Sequence, residues 1–363
     1  MRASLVAIVL LGAALTQTLR FEPVQRELLS AGGTLVNAWA DADGDGDLDL
    51  YVGNMDGDAN GLFRNDEGRF TDVAREAGLA WGGRAPNEAS NGTVRPCAAD
   101  VDGDGRLDLF MANYGPNGLF LNRGDGRFED VSQAWGIAID GRYDTCAFAD
   151  IDHDGRLDLY VNGTVTGGDS YPDTLFRNTR ARFEEITPPD LKALQADHGA
   201  AWADFDQDGD EDLALTGARP DGMHWLLRNL LPEADARRSL QVRVLDEDGR
   251  ATWPGATVKI YAAGSRRLLG ARLVDSGSGY NAQHDMPVHF GLAEMTPVDV
   301  EVTFPRAGTH AVTRVADVDP RGHAGRVLVV RAARGAGSGG AAGKEPSPSS
   351  SRPSAARLTK PSR

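Results

Sequence analysis

Positive charge, cysteine and long apolar runs are what this 363-residue chain has least of. Its formal charge is −15, with 53 acidic against 38 basic residues. The ordered part therefore lacks the basic patches that a nucleic acid or an anionic membrane surface would require. Its longest apolar run, Leu5 to Leu15, is too short for a bilayer span, which needs about 20 residues. No Cys-x-x-Cys, His-Glu-x-x-His or Gly-x-Ser-x-Gly pattern occurs, and SGSGY around Ser278 is not a nucleophile elbow. These absences point away from a zinc enzyme or a serine hydrolase, and the chain is read as non-catalytic. His198, with Asp144 and Asp197, could do acid-base work at a channel mouth, but the pattern fits polar rim residues better.

The N-terminal run follows Arg2 and ends in small residues, which predicts a signal peptide over residues 1–18. No cysteine follows that would mark a lipoprotein. A secreted, periplasmic or cell-surface location is expected, with no membrane span in the mature chain. Residues 333–363 are Gly, Ser, Pro and Ala with scattered basic residues, too few apolar side chains to offset the entropy of ordering, and predict a disordered tail.

What the chain has in abundance is aspartate at alternate positions. The stretch DADGDGDLDL from Asp41 returns as DVDGDGRLDL from Asp100, DIDHDGRLDL from Asp150 and DFDQDGDEDL from Asp204, with starts 59, 50 and 54 residues apart. Each copy leads into a strand-like segment and then into LFRN, LFLN, LFRN or LLRN, at Leu62, Leu119, Leu175 and Leu226. After the first three stands a phenylalanine strand, RFTDV, RFEDV or RFEEI. A strand, an aspartate loop and three more short strands in roughly fifty residues is the size of one four-stranded propeller blade.

So much like charge in ten residues is an electrostatic cost unless a cation sits within it. Loop positions 1, 3, 5, 7 and 9 are Asp41, Asp43, Asp45, Asp47 and Asp49 in the first copy and Asp100, Asp102, Asp104, Arg106 and Asp108 in the second. They are Asp150, Asp152, Asp154, Arg156 and Asp158 in the third, and Asp204, Asp206, Asp208, Asp210 and Asp212 in the fourth. Alternate side chains can turn inward while glycine at position 6 permits a sharp bend, and position 7 would offer its backbone carbonyl. Hard oxygen ligands in that number suit Ca2+ better than Mg2+ or Zn2+, with up to four ions in all. An EF-hand is excluded, because position 12 is Val52, Met111, Val161 or Leu215 instead of glutamate, and strand follows instead of helix.

These loops resemble the FG-GAP/VCBS repeat family, the calcium-loop propeller blades also found in integrin heads, whose DxDxDGxxDL pattern all four copies match. The segments PGATVKIYAAG from Pro254, SGSGYNAQHDMPVHFGL from Ser276 and VDVEVTFPRAG from Val298 resemble the ASPIC/UnbV domain. The pairing is similar to that of the cartilage-acidic-protein-like family. The resemblance implies an all-β chain, an FG-GAP-type propeller over residues 19–235 followed by a small β-sandwich over residues 236–332. It also implies an exported calcium-binding scaffold for adhesion, whose partner is an unidentified extracellular protein or glycan. The alternative is a lectin-like module, with Tyr114 and Tyr171 as candidate sugar platforms, or an accessory part of an exported hydrolase. The sandwich signature residues Tyr280, Gln283, His289 and Phe290 are read as packing.

Family propellers usually have about seven blades, against four loops here. RFEPVQRELL from Arg20 is similar to RFTDVAREAGL from Arg69, so the N-terminal strand is expected to complete the fourth blade and close a four-bladed ring. The alternative is a half-ring completed by a homodimer. Cys97 and Cys146 lie three and four residues before their loops; in aligned strands the pleat would aim them to opposite faces, favouring two buried thiols over a bridge. Trp39, Phe148 and Trp202 share one offset and are expected to pack between blades. His153, at loop position 4, is expected to point outward.

Overall fold

The computed structural model describes residues 22–29, 33–55, 58–81, 92–166, 169–194, 198–217, 224–275, 282–284, 287–306 and 309–333. The expected signal peptide, nearly all of the expected tail, Asp197, Ser278 and Tyr280 lie outside these residues.

Each repeat folds as an antiparallel meander. The first contains β1 (Thr34–Ala40), β2 (Asp49–Asn54), β3 (Gly61–Asp66) and β4 (Arg69–Asp72). The second contains β5 (Gly92–Ala99), β6 (Asp108–Pro116), β7 (Gly118–Gly124) and β8 (Arg127–Asp130). In the third, β9 (Asp140–Ala149), β10 (Asp158–Gly163), β13 (Thr174–Asn178) and β14 (Phe183–Glu185) form the blade, and β11 (Val165–Thr166) with β12 (Asp169–Ser170) forms a hairpin off it. The start of β9 also pairs with the end of β6, from Tyr114↔Arg142 to Pro116↔Asp140, which joins the second and third blades into one sheet. The fourth repeat has three strands, β15 (Gly199–Ala203), β16 (Asp212–Thr216) and β17 (Trp225–Leu227).

The aspartate loops join the first strand of each blade to the second, so all four emerge at the same end. Because successive side chains of a strand point to opposite faces, each blade presents one apolar row backward and another forward. Tyr51 and Leu62 of the first blade meet Leu109 and Phe120 of the second. Phe110 and Leu119 meet Leu159 and Phe176 of the third. Tyr160 and Leu175 meet Trp202 and Leu213 of the fourth. The all-β, propeller-like architecture is as the repeats imply.

The closing seam is not. Residues 22–29 form a turn, with Gln25 at φ 37°, and they sit on the first blade. Gln25 Nε2 donates to Phe70 O (2.9 Å) and Phe70 N donates to Gln25 Oε1 (2.7 Å), so one side chain satisfies the outer edge of β4. Pro23 has no N–H to give a ladder, and the resemblance to RFTDV stops there. Among the described residues the fourth blade gains no fourth strand, and its strands do not pack on those of the first.

Cys97 and Cys146 form a disulfide, with a Cα–Cα distance of 6.2 Å. The parity that spoke against a bridge is what makes it: neighbouring blades stack face to face, so the forward face of β5 meets the backward face of β9, and residues of opposite parity point at one another. Phe148 and Trp202 do pack between blades, against Phe110 and Tyr160. Trp39 does not. It lies on the backward face of the first blade, against its own blade's Phe70, and is exposed.

After the propeller, β18 (Ser239–Leu245) lies between β21 (Val288–Gly291) and β24 (Val327–Arg331), parallel to the latter. A second sheet has the order β20 (Leu268–Leu273), β19 (Thr257–Ala262), β22 (Val298–Arg306), β23 (Thr309–Val318). Alternation in VDVEVTF puts Val298, Val300, Val302 and Phe304 in the core between the sheets, beside Val242, Val258 and Phe290.

The bridge closes a loop of 49 residues across two blades. Replacing both cysteines by serine is expected to lower unfolding stability by about 2–4 kcal/mol, measured as the shift in urea midpoint against the oxidised wild type. A reduced wild type should show the same loss.

Candidate metal centres

Each loop is built by its own aspartates accepting backbone hydrogen bonds. The position-1 carboxylate gathers the amides of the bend: Asp41 accepts from Gly44 N (2.8 Å) and Gly46 N (3.2 Å), Asp100 from Gly103 N and Gly105 N (both 3.0 Å), and Asp150 from Asp154 N (3.1 Å) and Gly155 N (3.0 Å). The position-9 carboxylate ties the loop shut. Asp49, Asp108, Asp158 and Asp212 accept from the position-2 amides of Ala42, Val101, Ile151 and Phe205. Each also accepts from the amide of the asparagine that ends the LFRN-type motif.

Folding in this way brings carboxylates together. Asp100, Asp102 and Asp108 each place an oxygen within 4.8 Å of the others, as do Asp150, Asp152 and Asp158, and Asp204, Asp206 and Asp212. In the first loop the cluster is Asp41, Asp43 and Asp45, and Asp49 stands apart from it. Position 5 is diverted in the second and third loops, where Asp104 and Asp154 pair with the guanidinium groups of Arg106 and Arg156. Asp208 accepts from Asp210 N (3.3 Å) and is likewise outside its cluster. Asp47 accepts from Glu67 N (2.8 Å), bracing the loop on β3 and β4. Asp152, Asp204 and Asp206 each keep one buried carboxylate oxygen with no hydrogen-bond partner, the condition a bound cation would relieve.

The asparagines are the members of the site that the sequence reading passed over, although the repeated LFRN signalled them. Asn122 Nδ2 donates to its own Leu107 O (3.2 Å) and to Ala42 O of the preceding loop (3.4 Å). Asn178 donates to Leu157 O (3.1 Å) and Val101 O (2.8 Å). Asn229 donates to Glu211 O (3.4 Å) and Ile151 O (3.0 Å). One side chain thus fixes two successive loops.

The same architecture stands behind the comparisons with known proteins. Residues 41–111 and 100–161 match the FG-GAP-like repeat family, and residues 249–321 match the ASPIC and UnbV family. The chain is an FG-GAP repeat protein with an ASPIC/UnbV domain. It is 30% identical over 269 residues to cartilage acidic protein 1 of Homo sapiens, covering 71% of this chain and 38% of that protein. To the Xenopus tropicalis protein of the same name it is 29% identical over 290 residues, covering 76% and 41%. The chain therefore spans about two fifths of the length of these relatives. An Agrocybe aegerita lectin that recognises non-reducing terminal N-acetylglucosamine aligns at 18% identity and a TM-score of 0.32, over 79% of this chain and 81% of that one, a likeness too slight to carry an argument.

The ASPIC/UnbV domain is docked on the loop end of the propeller and touches every loop. His310 Nε2 lies 2.7 Å from Asp41 Oδ2, and Gln241 Nε2 donates to Asp204 Oδ2 (2.7 Å). Between them Arg272, buried, points at Asp150 (3.9 Å) while donating to the carbonyls of His289 and Ala271 (both 3.0 Å). Burial pushes Arg272 towards losing its proton; Asp150, Glu211 and Asp100 oppose this. His289 Nε2 lies 2.8 Å from Gly209 O of the fourth loop, and burial drives this imidazole down to about 3, so it docks neutral. The signature histidine is a packing residue, as expected. His153 is not the outward residue it was expected to be: it is fully buried, with Nδ1 2.9 Å from Asp235 O and its ring 5.1 Å from that of His289. Gly46, at φ 101°, lets the bend form and lets Thr309 approach; a Cβ there would lie 2.6 Å from Thr309 O.

At the other end of the blades, Asp144 Oδ2 lies 2.6 Å from His198 Nδ1, and Thr145 donates to His198 O. Tyr114 is half-buried under the Arg142 guanidinium (5.3 Å).

Asn178→Ala is expected to cost about 1–3 kcal/mol by leaving two buried carbonyls unpaired. Asn65→Ala, which donates only to Leu48 O and to no preceding loop, should cost less in the same urea titration.

Proposed function

We propose that this protein is an exported calcium-binding scaffold, non-catalytic, which presents a rigid surface to an extracellular protein or glycan. The observation that supports this reading is the convergence of three carboxylates in each of four loops, with buried oxygens left for an ion in the third and fourth. Residues Asp41, Asp43 and Asp45, and positions 1, 3 and 9 of the other loops, would hold the ion. Among the described residues no helix is long and apolar enough to cross a membrane, which is compatible with export. The relatives' name, cartilage acidic protein 1, is not that of an enzyme.

Calcium bound only by the native state stabilises it by mass action, and extracellular sites of this kind bind at roughly 0.1–1 mM. Adding calcium should raise the melting temperature, excess chelator should lower it, and magnesium should restore it poorly. Asp152→Asn should remove about one site in calorimetric titration. An unchanged melt in chelator would sink the calcium reading.

The carboxyls give a pH test. Burial, reinforced by neighbouring aspartates, raises Asp100, Asp150 and Asp204 to about 6 and Asp108 and Asp158 to about 8. A carboxyl raised in the folded state holds a proton that the unfolded chain releases above about 4, so its contribution to stability is present at low pH and is lost as pH rises towards 8. The ion-free protein should therefore have a higher urea midpoint at pH 5 than at pH 8. Saturating calcium should erase or reverse that difference and release protons on binding at pH 7. A midpoint in chelator that rises between pH 5 and pH 8 would contradict it.

A further inference from the structure

The repeat assigns every blade face a neighbouring blade, and among the described residues two faces have none, although Phe63, which shares the first blade's backward face with Leu50, is 5% exposed. The backward face carries a leucine on the second strand and, in every blade but the second, where it is Ala98, a large residue two positions before the loop. In the third and fourth blades these are Phe148 with Leu159 and Trp202 with Leu213, packed on the blade before. The equivalent pair in the first blade is Trp39 with Leu50, joined in register as Trp202 is to Leu213. Yet Trp39 is 49% exposed where Trp202 is 5%. The forward face carries the first leucine of each LFRN-type motif. Leu62, Leu119 and Leu175 are 5%, 0% and 8% exposed, but Leu226 of the fourth blade is 59% exposed. Its neighbours Trp225 and Leu227 turn the other way, onto the third blade's core.

We propose that a second copy of this chain covers both faces. The backward face of each first blade would pack on the forward face of the partner's fourth blade, giving a two-chain ring with two identical seams. The occupant follows from the repeat itself. The open faces are the two complementary halves of one interface that the chain already makes three times, at the same pleat positions, with Leu226 where the other blades carry Leu62, Leu119 and Leu175 and Ala214 in place of Tyr51, Phe110 and Tyr160. Among the described residues no strand of the first blade packs closely on a strand of the fourth. Two patches that complement each other, and not themselves, are satisfied twice over by a two-fold axis. Leu35, 54% exposed on β1, and Leu230, 84% exposed just after β17, lie beside the two patches.

Sedimentation analysis of the full chain in calcium, over a wide concentration range, should give the mass of a dimer. Trp39→Asp and Leu226→Asp, both at exposed positions, should each weaken the dimer at least tenfold while leaving circular dichroism unchanged. Mixing the two variants should recover dimer, because the mixed pair has one seam with both native residues. A chain carrying Trp39→Cys and Leu226→Cys should crosslink between chains on oxidation. A wild type monomeric throughout, a dimer indifferent to Leu226→Asp, a crosslink formed only within one chain, or an unlimited polymer would each overturn the two-chain ring.

Discussion

Two ionised carboxylates about 4 Å apart repel by roughly 4 kcal/mol even at the moderate dielectric of a protein surface, and each loop holds three within 4.8 Å. The chain opposes that repulsion with backbone amides first. Position 1 takes the amides of the bend, and position 9 takes one from its own loop and one from the third strand of its blade. Arginines come next: Arg123, Arg177 and Arg228 reach Asp102, Asp152 and Asp206 at 3.2, 3.1 and 2.8 Å. Burial nevertheless keeps Asp108 and Asp158 well above the usual carboxylate range, so the amides and arginines leave a charge deficit in those loops. A divalent cation is the species that would close it.

The same deficit gives the ASPIC/UnbV domain its place. Three of its polar contacts are to position-1 carboxylates, His310 on Asp41, Arg272 towards Asp150 and Gln241 on Asp204. An arginine this deeply buried would be costly among apolar neighbours, and the acids it faces oppose the loss of its proton. Loop and domain therefore each supply what the other needs to be buried. Because each asparagine after the first also grips the loop before it, strain at one loop passes to its neighbour through a hydrogen bond instead of through solvent.

Periodicity made the loops, the blades and the small sandwich legible, since a repeat of alternating aspartates followed by alternating apolar strands admits few other folds. What escaped was whatever depends on how one repeat meets the next. The parity of Cys97 and Cys146 speaks against a bridge only for strands of one sheet, and the blades stack face to face. The similarity of residues 20–29 to the phenylalanine strands missed that Pro23 cannot donate and that Gln25 turns left-handed. Nothing local to His153 shows that a domain from the far end of the chain covers it. The pairing of Asp41 with His310 spans 269 residues and has no local signature at all.

The two ends of the arc are protected unequally. At the first blade the outer edge is satisfied by the Gln25 amide, which mimics a strand with one side chain and extends no further. At the fourth blade the chain leaves β17 after three residues and enters a single helical turn at Glu233–Ala236, whose Arg237–Glu233 and Arg238–Asp235 ion pairs face the solvent. Short edges, turns and charge are how proteins discourage further strand pairing. The faces of the same blades carry no such defence: Trp39 and Leu226 remain apolar where a charged side chain would have cost nothing to the monomer. Edges closed to hydrogen bonding beside faces left open to packing favour growth by stacking another blade, which is how the three internal interfaces are made.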